Sequence, residues 1–185
     1  MSSYLWLDYK KDTSPHLLAA RLNQMLNDKK IERRLRRHSL VFLCIGTPKI
    51  PGDCLGPFVG SLLKMKTAAY AVFGTMEQPV HALNLKSTLK DIHKKYPGAV
   101  IIVIDAAIGE AYQNGFLTIK KGALKPGLGL GKNLPAIGHI QITGVFNELY
   151  SQNARRQMAE YSLCIAQGLT ASQCCRHALS GSGIS

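Results

Sequence analysis

Six consecutive apolar residues, Ala99 to Ile104, run without a polar side chain until Asp105. Valine and isoleucine fill most of this run, and β-branched residues favour strands. A continuous apolar run is typical of a strand that is buried on both faces by helices. The segment therefore predicts the central strand of an α/β domain, and it places a carboxyl group at the end of that strand.

The rest of the chain alternates between strand and helix patterns. Leu40 to Ile45 is a second apolar run, Tyr70 to Gly74 is a shorter one, and Gly115 to Lys120 alternates as a strand nearer an edge does. Apolar residues at helical spacing predict four helices, with N-caps at Ser14 and Asp53 and with apolar stripes that begin at Leu85 and Ala154. This order predicts a three-layer α/β/α fold with a mainly parallel sheet.

The composition is that of one globular domain in a reducing compartment. The chain has 185 residues, of which 46% are hydrophobic and 18% charged, and a domain of this size needs no disulfide or metal to hold a core. Five cysteines without a Cys-x-x-Cys pair, no apolar stretch of membrane-spanning length and no secretory h-region predict a cytoplasmic protein with no membrane partner. We expect residues 1–39 to form an N-terminal helix and a basic linker packed on the domain, residues 40–170 the α/β/α domain, and residues 171–185 a flexible tail.

Positive charge concentrates in one short segment. The range Lys29 to Arg37 holds six Lys and Arg residues opposed only by Glu32, in a chain whose net charge is +12. Such a run attracts nucleic acid or acidic proteins, but it is also a common form of solvated linker. Both interpretations stay open, and the first predicts weak, non-specific contact with DNA through Lys29 to Arg37.

Two aspartates are predicted to meet at one rim of the sheet. Asp105 follows the central strand and Asp53 closes the loop after Leu40 to Ile45, and open α/β sheets bind ligands outside the carboxyl ends of their strands. Each acid also has a structural interpretation, Asp53 as a helix cap and Asp105 as an acceptor for backbone amides. Two neighbouring carboxyl groups can share a proton, so that one acts as a base on water while the other polarises a carbonyl. Asp53 and Asp105 are therefore the predicted catalytic pair.

Other chemical motifs are weaker. The stretch Gly122 to Lys132 matches neither a P-loop nor GxGxxG, and we expect it to be a functional loop that contacts substrate through Gly127, Gly129, Gly131 and Lys132. His81 and His139 lie in segments predicted to be near the rim and are candidate accessory residues. Cys54, in the first turn of a predicted helix, would have a lowered thiol pKa and is an alternative nucleophile, unless it is a small buried hydrophobe.

A series of short motifs resembles the sporulation protein YyaC family. The resemblance covers about residues 40 to 168 and rests on VFLCIGT (41–47), GDCLGPFVG (52–60), PVHALNL (79–85), IDAAIG (104–109) and LKPGLGLGK (124–132). It implies an α/β/α domain of the phosphorylase/hydrolase type in a spore-forming bacterium.

That family is similar to the spore germination protease, whose two functional aspartates fall here on Asp53 and Asp105. The resemblance implies an endopeptidase of sporulation or germination that acts on proteins or peptides, small spore proteins among them, without a cofactor. Related hydrogenase-maturation endopeptidases bind nickel at the same places together with a histidine, so a metal-dependent peptidase with His81 or His139 as third ligand is an alternative. A catalytically silent binding protein with a basic surface is another. We predict no tightly bound metal, because the rim offers few carboxylates and no clearly placed histidine.

Overall fold

The described residues form a six-stranded sheet with helices on both faces. The computed structural model describes residues 4–11, 13–66, 71–126, 135–172 and 174. The strands are β1 (Tyr4–Asp8), β2 (Leu40–Cys44), β3 (Ala71–Phe73), β4 (Val100–Ile108), β5 (Phe116–Lys121) and β6 (Ile140–Phe146). The helices are α1 (Ser14–Leu26), α2 (Lys29–Leu35), α3 (Leu55–Lys66), α4 (Leu85–Lys95) and α5 (Gln152–Ala171).

The strand order is β1-β5-β6-β4-β2-β3. Strands β6, β4, β2 and β3 are parallel to one another, whereas β5 is antiparallel to both of its neighbours, β6 and β1. Strand β4 lies between β6 and β2, and its residues from Val100 to Asp105 are buried. The prediction that this apolar run forms a central strand is confirmed.

Two apolar layers separate the sheet from its helices. Helices α1, α3 and α5 cover one face, where they pack on alternate strand residues such as Phe42 and Ile102. Helix α4 covers the other face through Leu85 and Ile92, against strand residues such as Ile101. The alternation of strand residues between the two layers follows from the two-residue period of a strand, and it confirms the three-layer α/β/α fold.

Two glycines let α3 lie close to β2. A Cβ atom at Gly56 would lie 2.1 Å from the carbonyl oxygen of Ile45, and one at Gly60 would lie 1.9 Å from that of Gly74. Because the two positions are one helical turn apart, they face the sheet together. This close approach holds the N-terminus of α3, and the loop with Asp53 before it, against the carboxyl end of β2.

The N-terminal region differs from its prediction. Residues Tyr4–Asp8 form an edge strand that the sequence analysis did not predict. The segment predicted as a basic linker is helix α2, because Ile31 and Leu35 lie one turn apart and are buried, and the Asp28 side chain accepts a hydrogen bond from the Lys30 amide at 3.1 Å. Ser14 is the first helical residue and not the N-cap, and its hydroxyl donates to the Asp8 carbonyl at 2.5 Å.

Other segments also differ at the level of secondary structure. Strand β6 was not predicted, and β4 continues beyond Asp105 to Ile108 because it keeps pairing with β6. Of the predicted tail, Ala171 still belongs to α5, while residues 173 and 175–185 lie outside the described residues. Within the described part of the chain, no helix combines the length and the apolar character needed to cross a membrane.

Candidate functional site

The crevice between the carboxyl ends of β2 and β4 is the topological switch point of the sheet. From β2 the chain passes through α3, on one face, to β3. From β3 it returns through α4, on the opposite face, to β4 on the other side of β2. The two connections diverge from between β2 and β4, and such points are where open α/β sheets bind ligands.

Asp53 lies on the loop between β2 and α3, at the edge of this crevice. Its Oδ2 atom accepts a hydrogen bond from the Thr47 amide at 2.9 Å, which closes the loop. Gly46 has a φ of +145°, and a Cβ atom there would lie 1.9 Å from the Asp53 carbonyl oxygen. The Gly52 amide donates to the Leu149 carbonyl at 2.8 Å and so ties the loop to the segment between β6 and α5. These contacts hold the half-buried Asp53 side chain beside the end of β2.

Asp105 lies in β4 and is only 7% exposed. Burial raises the pKa of its carboxyl well above the usual value, and the negative charge of Asp53 raises that pKa further. The Ala106 amide, which donates to Asp105 Oδ1 at 2.9 Å, has the opposite but smaller effect on the pKa. The two carboxyl groups are thus electrostatic neighbours, and the pKa of Asp105 lies above that of an ordinary aspartate.

Polar side chains continue from Asp105 across the sheet. Asp105 is paired with Thr143 of β6, and Thr143 is paired with Thr118 of β5. The two threonine hydroxyl oxygens lie 2.6 Å apart, and both side chains are buried. Ile104 and Ile142 belong to the core on the opposite face, so alternation places this polar row on the face that α4 covers.

The sequence analysis missed Thr118 and Thr143. The signal available in the sequence was a threonine flanked by apolar residues in each of two apolar segments, LTI and ITG. Pairing the two threonines with each other and with Asp105 required the register of three strands, which the sequence alone does not show.

His81 lies at the same rim as Asp53. It follows Val80, which forms a parallel bridge with Ile45 just after β2. The His81 amide donates to Asn84 Oδ1 at 2.8 Å, and this contact shapes the turn before α4. This position agrees with the prediction that His81 lies near the rim.

His139 lies at the opposite end of the sheet. Its Nδ1 atom accepts a hydrogen bond from the Ile101 amide at 3.0 Å. Ile101 precedes Asp105 by four positions along β4, which corresponds to about 13 Å at the rise of a strand. The prediction that His139 lies near the rim is wrong, because β6 begins just after this residue and ends near the rim.

Cys54 is a buried thiol. It is 5% exposed, belongs to the core between the sheet and α3, and its Sγ atom lies 3.3 Å from Met76 Sδ. Burial raises the pKa of the thiol, Asp53 raises it further, and Arg155 opposes them. The predicted lowering of the Cys54 pKa is therefore wrong, because the burial and the neighbouring carboxylate both disfavour a thiolate.

The predicted substrate loop falls mostly outside the described residues, where Gly127, Gly129, Gly131 and Lys132 all lie. The described ends of this loop are held near the start of β6. The Gly122 amide donates to the His139 carbonyl at 2.8 Å, and Leu124 and Ile137 exchange backbone hydrogen bonds of 2.8 and 2.7 Å.

The rim residues that the structure describes do not form a group of three metal ligands. Among the described residues, no three His, Cys, Asp or Glu side chains are grouped so that they could hold a metal ion. Asp53 and Asp105 are the two described acidic side chains that the strand ends bring to the switch point, and Asp105 is the buried one of the pair.

Comparison with known proteins gives one family and one relative. Residues 9–163 match the model of a family described as a protein of unknown function, DUF1256. The chain is 41% identical over 116 residues to a protein of Bacillus subtilis (strain 168) named "Uncharacterized protein YyaC". The aligned region covers 62% of this chain and 57% of that protein, so the chain spans less than two thirds of the relative's length. The resemblance to the YyaC family that the motifs indicate is confirmed by these matches.

Proposed function

This chain belongs to the DUF1256 family, and we propose that it is an endopeptidase that uses Asp53 and Asp105 as a proton-sharing pair. The observation that carries the proposal is the position of both carboxyl groups at the switch point, with Asp105 buried and its pKa raised by burial and by Asp53. The motifs resemble the YyaC family, whose similarity to the spore germination protease supports a setting in the cytoplasm of a sporulating cell or a spore. Its substrates are proteins or peptides, with small spore proteins as the first class to examine.

The two carboxyl groups have different tasks in this mechanism. Protonated Asp105 donates a hydrogen bond to the carbonyl oxygen of the scissile peptide bond and makes its carbon more electrophilic. Ionised Asp53, which is closer to solvent, takes a proton from a water molecule as the water oxygen bonds to that carbon. The tetrahedral intermediate then expels the amine as the C–N bond breaks, and the proton held by Asp53 passes to the leaving nitrogen. In aspartic proteases, too, two aspartate carboxyl groups share one proton.

The positions of the histidines favour this mechanism over the metal-dependent alternative. His81 lies at the rim, but the described residues form no group of three ligands there. His139 is engaged with the Ile101 amide at the far end of the sheet. A nickel or zinc site would need at least one imidazole or thiolate ligand in addition to the carboxylates of Asp53 and Asp105.

The proposal is tested by a cleavage assay with the full chain. Wild type is incubated with small spore proteins and with an unstructured peptide library, and new termini are identified by mass spectrometry. Asp53→Asn and Asp105→Asn should each lower the cleavage rate by about 10² to 10⁴-fold, the usual contribution of an acid–base group. Asp91→Asn is the matched control, because Asp91 is an exposed carboxylate on α4.

Two results would overturn the proposal. If wild type cleaves neither substrate set, the catalytically silent binding protein is the better description. If both aspartate variants cleave as fast as Asp91→Asn, the activity belongs to another site or to a contaminant.

A further inference from the structure

A basic edge lies opposite the aspartate pair. Helices α2, α3 and α4 each end just before a parallel strand begins, so their C-termini gather at the edge where β2, β3 and β4 start. The last turns of these helices are rich in basic residues, namely Arg33 and Arg34 in α2, Lys64 and Lys66 in α3, and His93, Lys94 and Lys95 in α4. We call these residues, together with Arg36 and Arg37, the basic edge.

Helices α2 and α4 contribute to one continuous surface. Arg34 Nε donates to the Gly98 carbonyl at 2.8 Å, in the turn between α4 and β4. A Cβ atom at Gly98 would lie 2.6 Å from the His38 ring, so the segment after α2 packs directly on that turn. The cations of the two helix ends are therefore held side by side.

Few acidic groups offset this charge. Glu32 pairs with Arg36 at 2.7 Å, and both side chains are well exposed. Asp28 pairs with Lys121 of β5 at 2.5 Å. Helices α2, α3 and α4 contain two acidic residues, Glu32 and the exposed Asp91. All the side chains of the basic edge are exposed, so most of their positive charge faces solvent without a neighbouring carboxylate.

The helix dipole accounts for only part of the positive charge on α2. Cations at the C-terminal end of a helix are favoured by its dipole, which explains Arg33 and Arg34 in the last turn and Arg36 at the C-cap. The same dipole disfavours Lys29 and Lys30 in the first turn of α2. The segment therefore carries more positive charge than its helix dipole favours.

We propose that the basic edge binds the phosphate backbone of duplex DNA without sequence specificity. Arginine predominates in the α2 part, and guanidinium groups match phosphate oxygens in two-point hydrogen bonds. Binding of single strands relies on exposed aromatic side chains for base stacking. None of the exposed aromatic side chains in the described part of the chain lies on α2, α3 or α4, and Tyr96 packs edge-to-face on Phe73.

The surface and the aspartate pair can work at the same time. Val100 and Asp105 are separated by five positions of β4, or about 16 Å. DNA on the basic edge therefore leaves the rim open, and the proposal does not depend on peptidase activity.

The test measures binding of a labelled DNA duplex of mixed sequence by fluorescence anisotropy across a salt series. Wild type should bind with a dissociation constant of about 10⁻⁴ to 10⁻⁶ M at physiological salt. The variant with Arg33, Arg34, Arg36 and Arg37 changed to Gln should bind at least about tenfold more weakly, with a salt slope that is smaller by about 0.9 for each phosphate that the variant no longer neutralises. Lys64→Gln/Lys94→Gln/Lys95→Gln should weaken binding as well, because the other two helix ends belong to the same surface.

A matched control removes as much charge elsewhere. Lys10, Lys11, Lys49 and Lys86 are exposed and lie outside the basic edge, and their change to Gln should leave the salt slope near that of wild type. If this control weakens DNA binding as much as the arginine variant does, binding depends on net charge and the proposal is overturned. Absence of binding by wild type, or equal competition by polyglutamate of the same charge, would also overturn it, the latter in favour of an acidic protein partner. Thermal unfolding of each variant verifies that it is folded.

Discussion

The negative charge of Asp53, on the loop after β2, raises the pKa of the Asp105 carboxyl, which is buried in β4. The two carboxyl groups thus differ in their surroundings. Asp105 is buried and keeps its proton to a higher pH than usual, whereas Asp53 is closer to solvent. This asymmetry is the basis of the proposed chemistry, and it leads to consequences for stability that can be measured without a substrate.

Asp105→Asn should stabilise the protein, and more so as pH rises. The carboxyl in the unfolded chain ionises near its usual pKa of about 3.9, whereas the folded protein keeps its proton to a higher pH. Between these two pKa values, the free energy of unfolding of wild type should fall by up to about 1.4 kcal/mol per pH unit. Urea unfolding at several pH values measures this, and it should show a difference between variant and wild type that grows with pH and then levels off. Asp91→Asn is the control, and a pH-independent difference for Asp105→Asn would contradict the assigned direction of the shift.

The double variant Asp53→Asn/Asp105→Asn should cleave peptides no more slowly than the slower single variant. Groups that act as a unit show strongly non-additive losses, because removal of either one already disables the shared step. Cleavage rates of wild type, both single variants and the double variant complete the cycle. Independent, multiplicative losses would indicate that the two aspartates do not share one step.

Gly60→Ala should destabilise the fold and reduce cleavage. Its Cβ atom would meet the Gly74 carbonyl oxygen at 1.9 Å, and that atom is backbone and cannot rotate away. Helix α3 must then move off the sheet, with a loss of stability of about 1 to 3 kcal/mol as for other overpacked sites. Lys64→Ala, on an exposed position of the same helix, is the control for thermal unfolding. An unchanged melting temperature for Gly60→Ala would show that the close contact of α3 with the sheet is not required.

His139→Ala should lower stability but leave cleavage unchanged. The imidazole Nδ1 accepts the Ile101 amide hydrogen bond, and an amide that loses its partner in a largely buried place costs about 1 to 3 kcal/mol. Burial and the charge of Arg34 lower the pKa of His139. The contribution of His139 is therefore complete above the unfolded pKa of about 6.5 and is lost as pH falls toward the folded value. Unfolding of wild type and variant at pH 5 to 8 checks this, and a loss of cleavage by folded His139→Ala would contradict its remote position.

Cleavage should persist after treatment with a chelator, and elemental analysis of the purified protein should find no equivalent of nickel or zinc. The reason is that the proposed mechanism uses Asp53 and Asp105 as a base and an acid and involves no metal ion. A stoichiometric metal that is lost in Asp53→Ala would instead support the maturation-peptidase alternative.

The sequence alone determined the three-layer fold of this protein, and it placed the candidate residues Asp53 and Asp105 after strands. The apolar run before Asp105 and the helical spacing around Leu85 and Ala154 are local patterns, since burial on both faces or along one stripe is visible in consecutive residues. These patterns were sufficient for the α/β/α fold, for the central position of β4, and for placing Asp53 after a strand.

Only the tertiary structure decided which residues share an end of the sheet. Strand direction and register are non-local, so sequence spacing did not show that β6 starts beside His139, that Thr118 and Thr143 line up with Asp105, or that Tyr4–Asp8 adds an edge strand. Burial of Cys54 depends on how closely α3 approaches the sheet, and this sets the direction of its pKa shift. The electrostatics of the site thus depend on contacts between distant segments, because a pKa reports the surroundings of a group and not its neighbours in sequence.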